Sequence, residues 1–493
     1  MIAALVFIPA LAGLAAFFLR PPAVRRGLLV GTALAHSILV VWAWAHRPVL
    51  APDAWWGLDA AGLLFLSITS LLFLIAAVYG WGFLQQEAKP SPASLKEDFL
   101  FTNAPEAVFI GCLLLFLSAM TLVTVCRHLG LLWVAIEATT LASARLIYFH
   151  RHPRSLEATW KYLLVCSVGL ALALLGNFFL GVAALTAGPE RHSVGLEITP
   201  LLSHAASLQI PWLKASFILI LVGYGTKMGL APMHTWLPDA HSESPSLVSA
   251  LLSGAVLNCA FLGVLRFYQI CVAAGQAAFA QDLLVLLGIV SMGVAAVFIL
   301  GQTDYKRLLA YSSVEHMGIL ALGVGLGGIG TYGSVFHALN HSLAKGMLFL
   351  VAGNFLTVYH SKNIPQVRGV IRRLPLSGWL WVAGFLALTG TPPFGPFFSE
   401  FTILRAAFEQ RREGVAILYL SLLALIFIGM ATAFLRMAQR APDSDPQAGI
   451  ERLPWCRQYP PALLGTLVLA LGVYLPASLR SFLHEVAALL GGA

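Results

Sequence analysis

The chain is 493 residues long, 59% hydrophobic and only 11% charged, with a net charge of +8. A soluble domain carries about 25% charged residues, and a soluble chain this apolar would expose patches that aggregate, so an ordinary soluble protein is excluded. Many apolar runs approach the roughly 20 residues that cross a bilayer as a helix, and the short alternating segments of a membrane barrel are not seen, which predicts an all-α polytopic membrane protein.

The first apolar run, residues 2–19, has no basic residue ahead of it and is followed by Arg20, Arg25 and Arg26. That order predicts an uncleaved first span rather than a secretory signal. Thirteen more spans are predicted at 27–45, 58–84, 106–126, 129–149, 158–184, 211–230, 246–270, 281–300, 306–326, 331–358, 376–408 (broken), 415–438 and 459–476. A more amphipathic stretch, 478–490, is expected on the surface or packed against the bundle. Lys and Arg are about twice as frequent in the loops after odd-numbered spans as after even-numbered ones. Those loops are therefore expected in the cytoplasm and both termini on the outer, periplasmic side. The same bias accounts for the positive charge without nucleic acid.

Four regions follow: 1–105 with three spans, 106–270 and 281–438 as two halves, and 439–493 with the last span and tail. The longest polar stretches, 85–105, 188–211 and 439–460, are too short to fold as domains. The six cysteines form no CxxC pair, and no phosphate-binding loop occurs in a strand–helix context. No cofactor or metal is predicted in this chain.

Ionisable residues inside the predicted spans cost at least about 2.5 kcal/mol each to insert and usually face the interior along an ion path. They are Glu137, Arg145, Lys227, Glu315, Lys345 and Glu400, joined by His337 and His341. Arg145 and Arg266 stand near span ends, where a long side chain can snorkel to the headgroups. Lys227 lies among Gly223, Gly225, Gly229 and Pro232, which disfavour regular helix. A broken helix is tolerated in a membrane only around a protein-lined cavity. The bland alternative for Lys227 is a fixed structural ion pair. In TYGSVFHALNHSLAKGMLFLVAG, His337, His341 and Lys345 recur every four residues and share one helical stripe. Neutral imidazoles relay protons, and the lysine at the third position argues against a metal there.

The twelfth span is interrupted by TPPFGP, with Glu400 just beyond. Two broken spans five apart, each with a charge beside its break, predict an inverted repeat in which spans 4–8 mirror spans 9–13. Glu315 is then the rough counterpart of Glu137. Ser249 and Ser253, one turn apart, either line the same cavity or simply pack. His241, in the loop HTWLPDAHSESP, belongs to the one odd-numbered loop without Lys or Arg.

The stretches KMGLAPMHTWLPDAHSESPSLVSALLSG, TDYKRLLAYSSVEHMG, HALNHSLAKGMLFLVAG and GTPPFGPFFSEF, in this order, resemble the antiporter-like subunits of respiratory complex I and of Mrp-type sodium/proton antiporters. AYSSVEHMG and PPFGPFFSEF look most like component F of hydrogenase-4, a subunit type of group 4 membrane-bound [NiFe] hydrogenases and formate hydrogenlyases. The resemblance implies a fourteen-helix pump module with two inverted five-helix repeats, in a bacterial inner membrane. It implies that Glu137 and Lys227 form the ion pair of the first half-channel, Lys345 the central relay and Glu400 the exit group, with His337 and His341 alongside. Where several relatives carry Lys or His on span eight, this chain has Asn258, so a link there would need water or Ser253. The chain also ends without the long lateral helix of the largest complex I subunit.

The implied partners are other membrane subunits and a soluble redox arm holding Ni-Fe and Fe-S centres, or flavin and quinone. The transported ion is a proton, with sodium as the other candidate. The alternatives are a pump subunit of NADH:quinone oxidoreductase, an Mrp-type antiporter subunit, and a membrane partner of an inorganic-carbon-capturing complex.

Overall fold

The computed structural model describes residues 1–47, 54–87, 103–185, 195–439 and 450–492. Large parts of the three long polar stretches lie outside these residues. Backbone groups in hydrocarbon have no water to bond, so each apolar run satisfies its own carbonyls as a helix. In chain order the helices are α1 (Ile2–Phe18), α2 (Pro22–Ala45), α3 (Ala60–Glu87), α4 (Glu106–Val125), α5 (Leu129–Ile147), α6 (Pro153–Ala183) and the short α7 (Ile198–Ser203). They continue as α8 (Ile210–Met228), α9 (Trp236–Glu243), α10 (Ser246–Leu251), α11 (Leu257–Ala273), α12 (Ala277–Ile299), α13 (Tyr305–Leu326) and α14 (Ile329–Tyr359). The last are α15 (Val370–Arg373), α16 (Pro375–Leu388), α17 (Gly395–Glu409), α18 (Glu413–Gln439), α19 (Trp455–Val473) and α20 (Ala477–Leu489).

Ten of the described helices are long and apolar enough to cross a bilayer, or eleven if α19 and α20, bent by 85°, count as one span. The protein is thus a multi-pass membrane protein. Of the fourteen expected spans, those at 2–19, 211–230 and 376–408 fall outside this set: α1 is short, α8 is not among the ten, and the twelfth is split into α16 and α17; the fourteenth counts only together with α20. The predicted breaks are real: α8 stops at Met228, and residues 389–394 separate α16 from α17. Proline opens α2, α6, α8, α16 and α17, where its missing N–H costs nothing. Asp304 caps α13 by accepting from the Lys306 and Arg307 amides at 2.7 and 3.1 Å.

The bundle is built around α14, which packs on α13, α17, α19, α16, α10 and α3. The continuous rod of α10 and α11, and α13 beside it, are wholly enclosed by other helices, whereas α2 and α18 line the outside. Between α10 and α11 runs one π turn, Leu252–Val256, in which the Leu257 amide reaches back five residues to Leu252 O.

The connecting loops gather at two ends. At one end Asn103 meets His150, Asp304 bridges to Asn363, and Lys362 pairs with Glu243 at 2.7 Å. These segments follow odd-numbered predicted spans. At the other end Trp56 bridges to Cys126, His128 to Glu197, and Arg47 pairs with Glu485 of α20 at 2.8 Å. The amphipathic segment at 478–490 accordingly packs across the bundle end as α20, with His484 stacked on Tyr332 at 4.2 Å.

Arg266 corrects the snorkelling expectation. It is 1% exposed and grips both oxygens of Asp59, at 2.5 and 2.8 Å, while Arg127 takes the Asp59 carboxylate at 2.6 Å. Asp59 stands at the very start of its predicted span, one residue ahead of α3, and its position in the chain does not reveal that it is the partner of an arginine 207 residues away. Arg145 is exposed, as a snorkelling residue should be.

Burial pushes the Asp59 carboxyl up, but Arg266 and Arg127 outweigh it and hold it at about 2. A lowered carboxyl contributes stability that is complete above the ordinary value of about 3.9 and is lost as pH falls toward the folded value. Asp59→Ala, which strands two buried guanidiniums, is expected to cost about 3–5 kcal/mol in detergent thermal unfolding. Asp59→Asn is expected to remove the part of the acid dependence that falls between about pH 4 and pH 2.

Candidate functional site

Lys227 stands in the last turn of α8, where the negative end of the helix favours a cation. Gly229 closes the helix at φ 86°, a left-handed conformation that carries no Cβ penalty for glycine. The chain then turns into α9, whose Trp236 Nε1 donates back to Thr226 O at 2.8 Å. The Lys227 amine is fully buried. It donates to Thr140 Oγ1 at 3.0 Å and to the Tyr162 hydroxyl, and sits 4.4 Å from the Tyr162 ring centroid. Tyr162 in turn meets Ser143 Oγ at 2.6 Å.

Glu137 does not make the expected direct pair with Lys227. It is half-buried on α5; one oxygen accepts from Ser167 Oγ at 3.2 Å and the other has no hydrogen-bond partner among the described residues. Thr140, three residues further along the same face of α5, occupies the place beside the amine.

A second cluster lies where α13, α14 and α17 meet. His337, His341 and Lys345 are all buried on α14, as their spacing predicts. The Ser399 hydroxyl donates to Pro396 O at 2.8 Å, so it accepts from His337 Nδ1 at 2.9 Å. His337 Nε2 is then the acceptor in its 2.9 Å contact with His316 Nδ1. A directed chain follows, from His316 through His337 to Ser399. It leaves the buried His316 Nε2 unpartnered among the described residues, with the His341 ring 5.0 Å away, centre to centre.

Glu400 is buried near the N-terminal end of α17, and its Oε1 has no partner among the described residues. Its carboxylate fills the space that a side chain at Gly390 (φ 58°) would need, so the break and the acid fit one another. Ligand atoms of His316, His337 and Glu400 lie within 4.8 Å of one another. Lys345 donates to Leu309 O at 2.7 Å and to Ser312 Oγ. Glu315 is buried beside this cluster with one oxygen unpartnered among the described residues.

Hydroxyls and amides occupy the space between the two clusters. Ser253, on the π turn, meets Ser313 Oγ at 2.8 Å, next in sequence to the Ser312 that receives Lys345. Asn258 donates to Gly254 O at 2.9 Å and to Ser342 Oγ at 2.6 Å. His241 is buried and stacked on Phe349 at 4.9 Å, its two ring nitrogens unpartnered among the described residues. Its carbonyl accepts from Ser249 Oγ, which also meets Ser244 Oγ. Lys306 donates to Ser244 O at 2.6 Å. A cavity of about 970 Å³ lined by His150, His152, Glu243, Asp304 and Lys362 opens beyond it at the odd-loop end.

His316, Tyr162, Thr140 and Lys306 stand among the candidate-site residues and were not singled out from the sequence. His316 follows Glu315 directly and was open to the same rule for ionisable residues inside spans. Thr140 carries no such signal, because threonine hydroxyls in helices commonly bond their own backbone, as Thr140 does to Ile136 O at 3.4 Å, and Tyr162 is uncharged near neutral pH.

Residues 126–427 match the family described as "NADH:quinone oxidoreductase/Mrp antiporter, TM". The chain is 34% identical over 444 residues to a hydrogenase-4 component F homolog of Methylacidiphilum infernorum, covering 89% of each chain. It is 32% identical over 462 residues to NADH-quinone oxidoreductase subunit 14 of Thermus thermophilus, covering 93% of each. Its fold is similar to a chain of an archaeal membrane-bound sulfane sulfur reductase, with a TM-score of 0.85 at 20% identity over 100% of this chain and 98% of that one.

Tyr162→Phe is expected to destabilise the protein by about 1–3 kcal/mol, because a buried ammonium loses an acceptor. Lys227→Met in the Tyr162→Phe background is expected to recover most of that loss. A double-mutant cycle of thermal unfolding in detergent measures the coupling.

Proposed function

The chain belongs to the NADH:quinone oxidoreductase/Mrp antiporter membrane family, and from that premise we propose that it is the proton-translocating membrane subunit of a redox complex of the hydrogenase-4 or formate hydrogenlyase type. The observation that carries this reading is the series of fully buried proton-exchanging groups inside the bundle: Lys227, Lys345, Glu315, Glu400 and the imidazoles His316, His337 and His341. Structural roles alone do not require three adjoining buried histidines, two of them with ring nitrogens unpartnered among the described residues, beside carboxylates that each leave one oxygen unpartnered.

Fourteen crossings, with α16 and α17 forming one broken span, place the two helix breaks in corresponding positions of two inverted five-helix repeats. Their pairing is supported by a cation at the end of one half-helix and an acid near the start of the other. The odd-loop end is the cytoplasmic side and both termini are periplasmic, in a bacterial inner membrane.

Protons are taken up on the odd-loop side, where the cavity bearing Glu243 and Lys362 lies. Lys227 exchanges its proton as Glu137 approaches or leaves, with Thr140 and Tyr162 holding the amine between exchanges. The proton continues by Ser253, Asn258 and the serines near them toward Lys345, and leaves by His316, His337 and Glu400. Two imidazoles with one carboxylate exchange protons well and make a poor seat for sodium, which prefers oxygen donors.

The redox step belongs to partner subunits, with Ni-Fe and Fe-S centres as the expected cofactors. Their reaction shifts charge or hydration at one flank and so alters the balance between Glu137 and Lys227. Moving one charge against 100 mV takes about 2.3 kcal/mol, a scale that a change in one poorly screened ion pair supplies. A second reading, the pump subunit of an NADH:quinone oxidoreductase, is favoured by the near-equal identity to the Thermus subunit. The soluble subunits that remain attached in mild detergent separate the two.

In sealed vesicles holding the whole complex, Lys227→Ala and Lys345→Ala are each expected to reduce redox-driven proton movement about tenfold or more. Electron transfer measured with uncoupler is expected to survive. Unchanged proton movement in both variants overturns the proposal in favour of a structural anchor.

A further inference from the structure

Away from the polar interior, a groove opens between α12 and α18 at the odd-loop end. Its upper part is a cavity of about 360 Å³ lined by Gln302, Thr303, Arg368 and Arg436 above an apolar floor that includes Ile299 and Ala433. Gly429 lets the floor approach α12 closely: a Cβ there would crowd Ile299. The groove continues along α18, past Leu435, Ala431, Ile428 and Phe427, sharing Thr432 and Arg436 with the upper cavity. It therefore has two charged groups at its mouth and an open, largely apolar strip of α18 running from them toward the middle of that helix.

The two arginines have no internal use. Arg368 is half-buried and Arg436 exposed, and among the described residues neither guanidinium has a carboxylate or a hydrogen-bond acceptor. No acidic side chain is among the described residues lining either part of the groove. Other arginines behave differently: nearby Arg373 pairs with Glu451, and Arg412, at the opposite end of α12 and α18, with Asp282. A planar guanidinium matches a phosphate with two parallel hydrogen bonds, and two of them above an apolar strip fit a phosphate that carries acyl chains.

We propose that the α12–α18 groove binds one anionic phospholipid, with its phosphate between Arg368 and Arg436, Gln302 and Thr303 against the head group, and an acyl chain along α18. The position agrees with the headgroup level of a bilayer: the groove lies where α12 and α18 end, on the side enriched in Lys and Arg. The site is independent of proton movement and stands or falls separately from it.

The test uses the full chain purified in mild detergent, with the double variant Arg368→Ala/Arg436→Ala, the conservative variant Arg368→Lys/Arg436→Lys, and Arg372→Ala as an equal-side charge control outside the groove. Lipid retained through purification is measured by mass spectrometry. Thermal unfolding is compared in nanodiscs of phosphatidylglycerol, in nanodiscs of phosphatidylcholine, and in detergent with inorganic phosphate. The expected result is enrichment of anionic lipid on the wild type and the Arg372→Ala control, and a rise in unfolding temperature in phosphatidylglycerol alone. The alanine double variant loses both, and the lysine variant keeps part.

Equal retention of anionic lipid by wild type and double variant overturns the proposal, as does equal stabilisation by phosphatidylcholine. The same shift with inorganic phosphate alone assigns the arginines to a free anion and also overturns it. So does cross-linking of Arg436→Cys to a neighbouring subunit in the native complex, which makes the groove a protein interface.

Discussion

An ammonium shut away from water needs acceptors, and Lys227 obtains them from two helices other than its own. Thr140 comes from α5 and Tyr162 from α6, and the negative end of α8 adds its own field. This requirement fixes where α8 must stop, since one more turn of regular helix would carry the amine into the middle of a helix, where no free carbonyls exist. The stop at Gly229, the turn after it and the return of α9 through Trp236 all follow from it. The enclosed rod formed by α10 and α11 packs on the same region, α11 against α8 and α10 against α9.

The two halves of the interior solve the same burial problem with different chemistry. Around Lys227 the partners are hydroxyls and an aromatic face, which fix a charge without competing for its proton. Beside Glu400, with ligand atoms within 4.8 Å, stand the imidazoles of His316 and His337, joined to each other so that each holds a proton on one nitrogen and a lone pair on the other. Between them stand serines and Asn258, groups that bond but do not titrate near neutral pH. Among the described residues no direct hydrogen bond joins the two clusters, and Ser253 and Asn258 bond instead to Ser313 and Ser342.

Much of this was legible in the sequence because a membrane makes the rules strict. Apolar length gave the helices, and glycine and proline next to Lys227 and Glu400 gave the breaks. Four-residue spacing put His337, His341 and Lys345 on one stripe, and all three are buried. What escaped was pairing across long sequence separations. The grip of Arg266 on Asp59 depends on how two distant segments pack, and local position alone made Arg266 look like a surface residue. The Glu137 case is similar: both residues were identified, but the sequence does not say that Thr140 stands closer to the amine. Hydroxyls such as Tyr162 left no trace because their usual role in a membrane helix is packing.

The π turn at Leu252–Val256 has a geometric consequence of its own. Fitting one surplus residue into a helical coil rotates everything beyond it by about 100° relative to an unbroken helix. Ser253 and Asn258 thus reach different neighbours, Ser313 on α13 and Ser342 on α14, although they belong to one rod. Removing that surplus residue would leave the composition and hydropathy of the rod nearly unchanged and would still swing Asn258 and all of α11 out of phase with α10. A shift of phase, rather than a change of side chain, is the edit to which this rod is most sensitive.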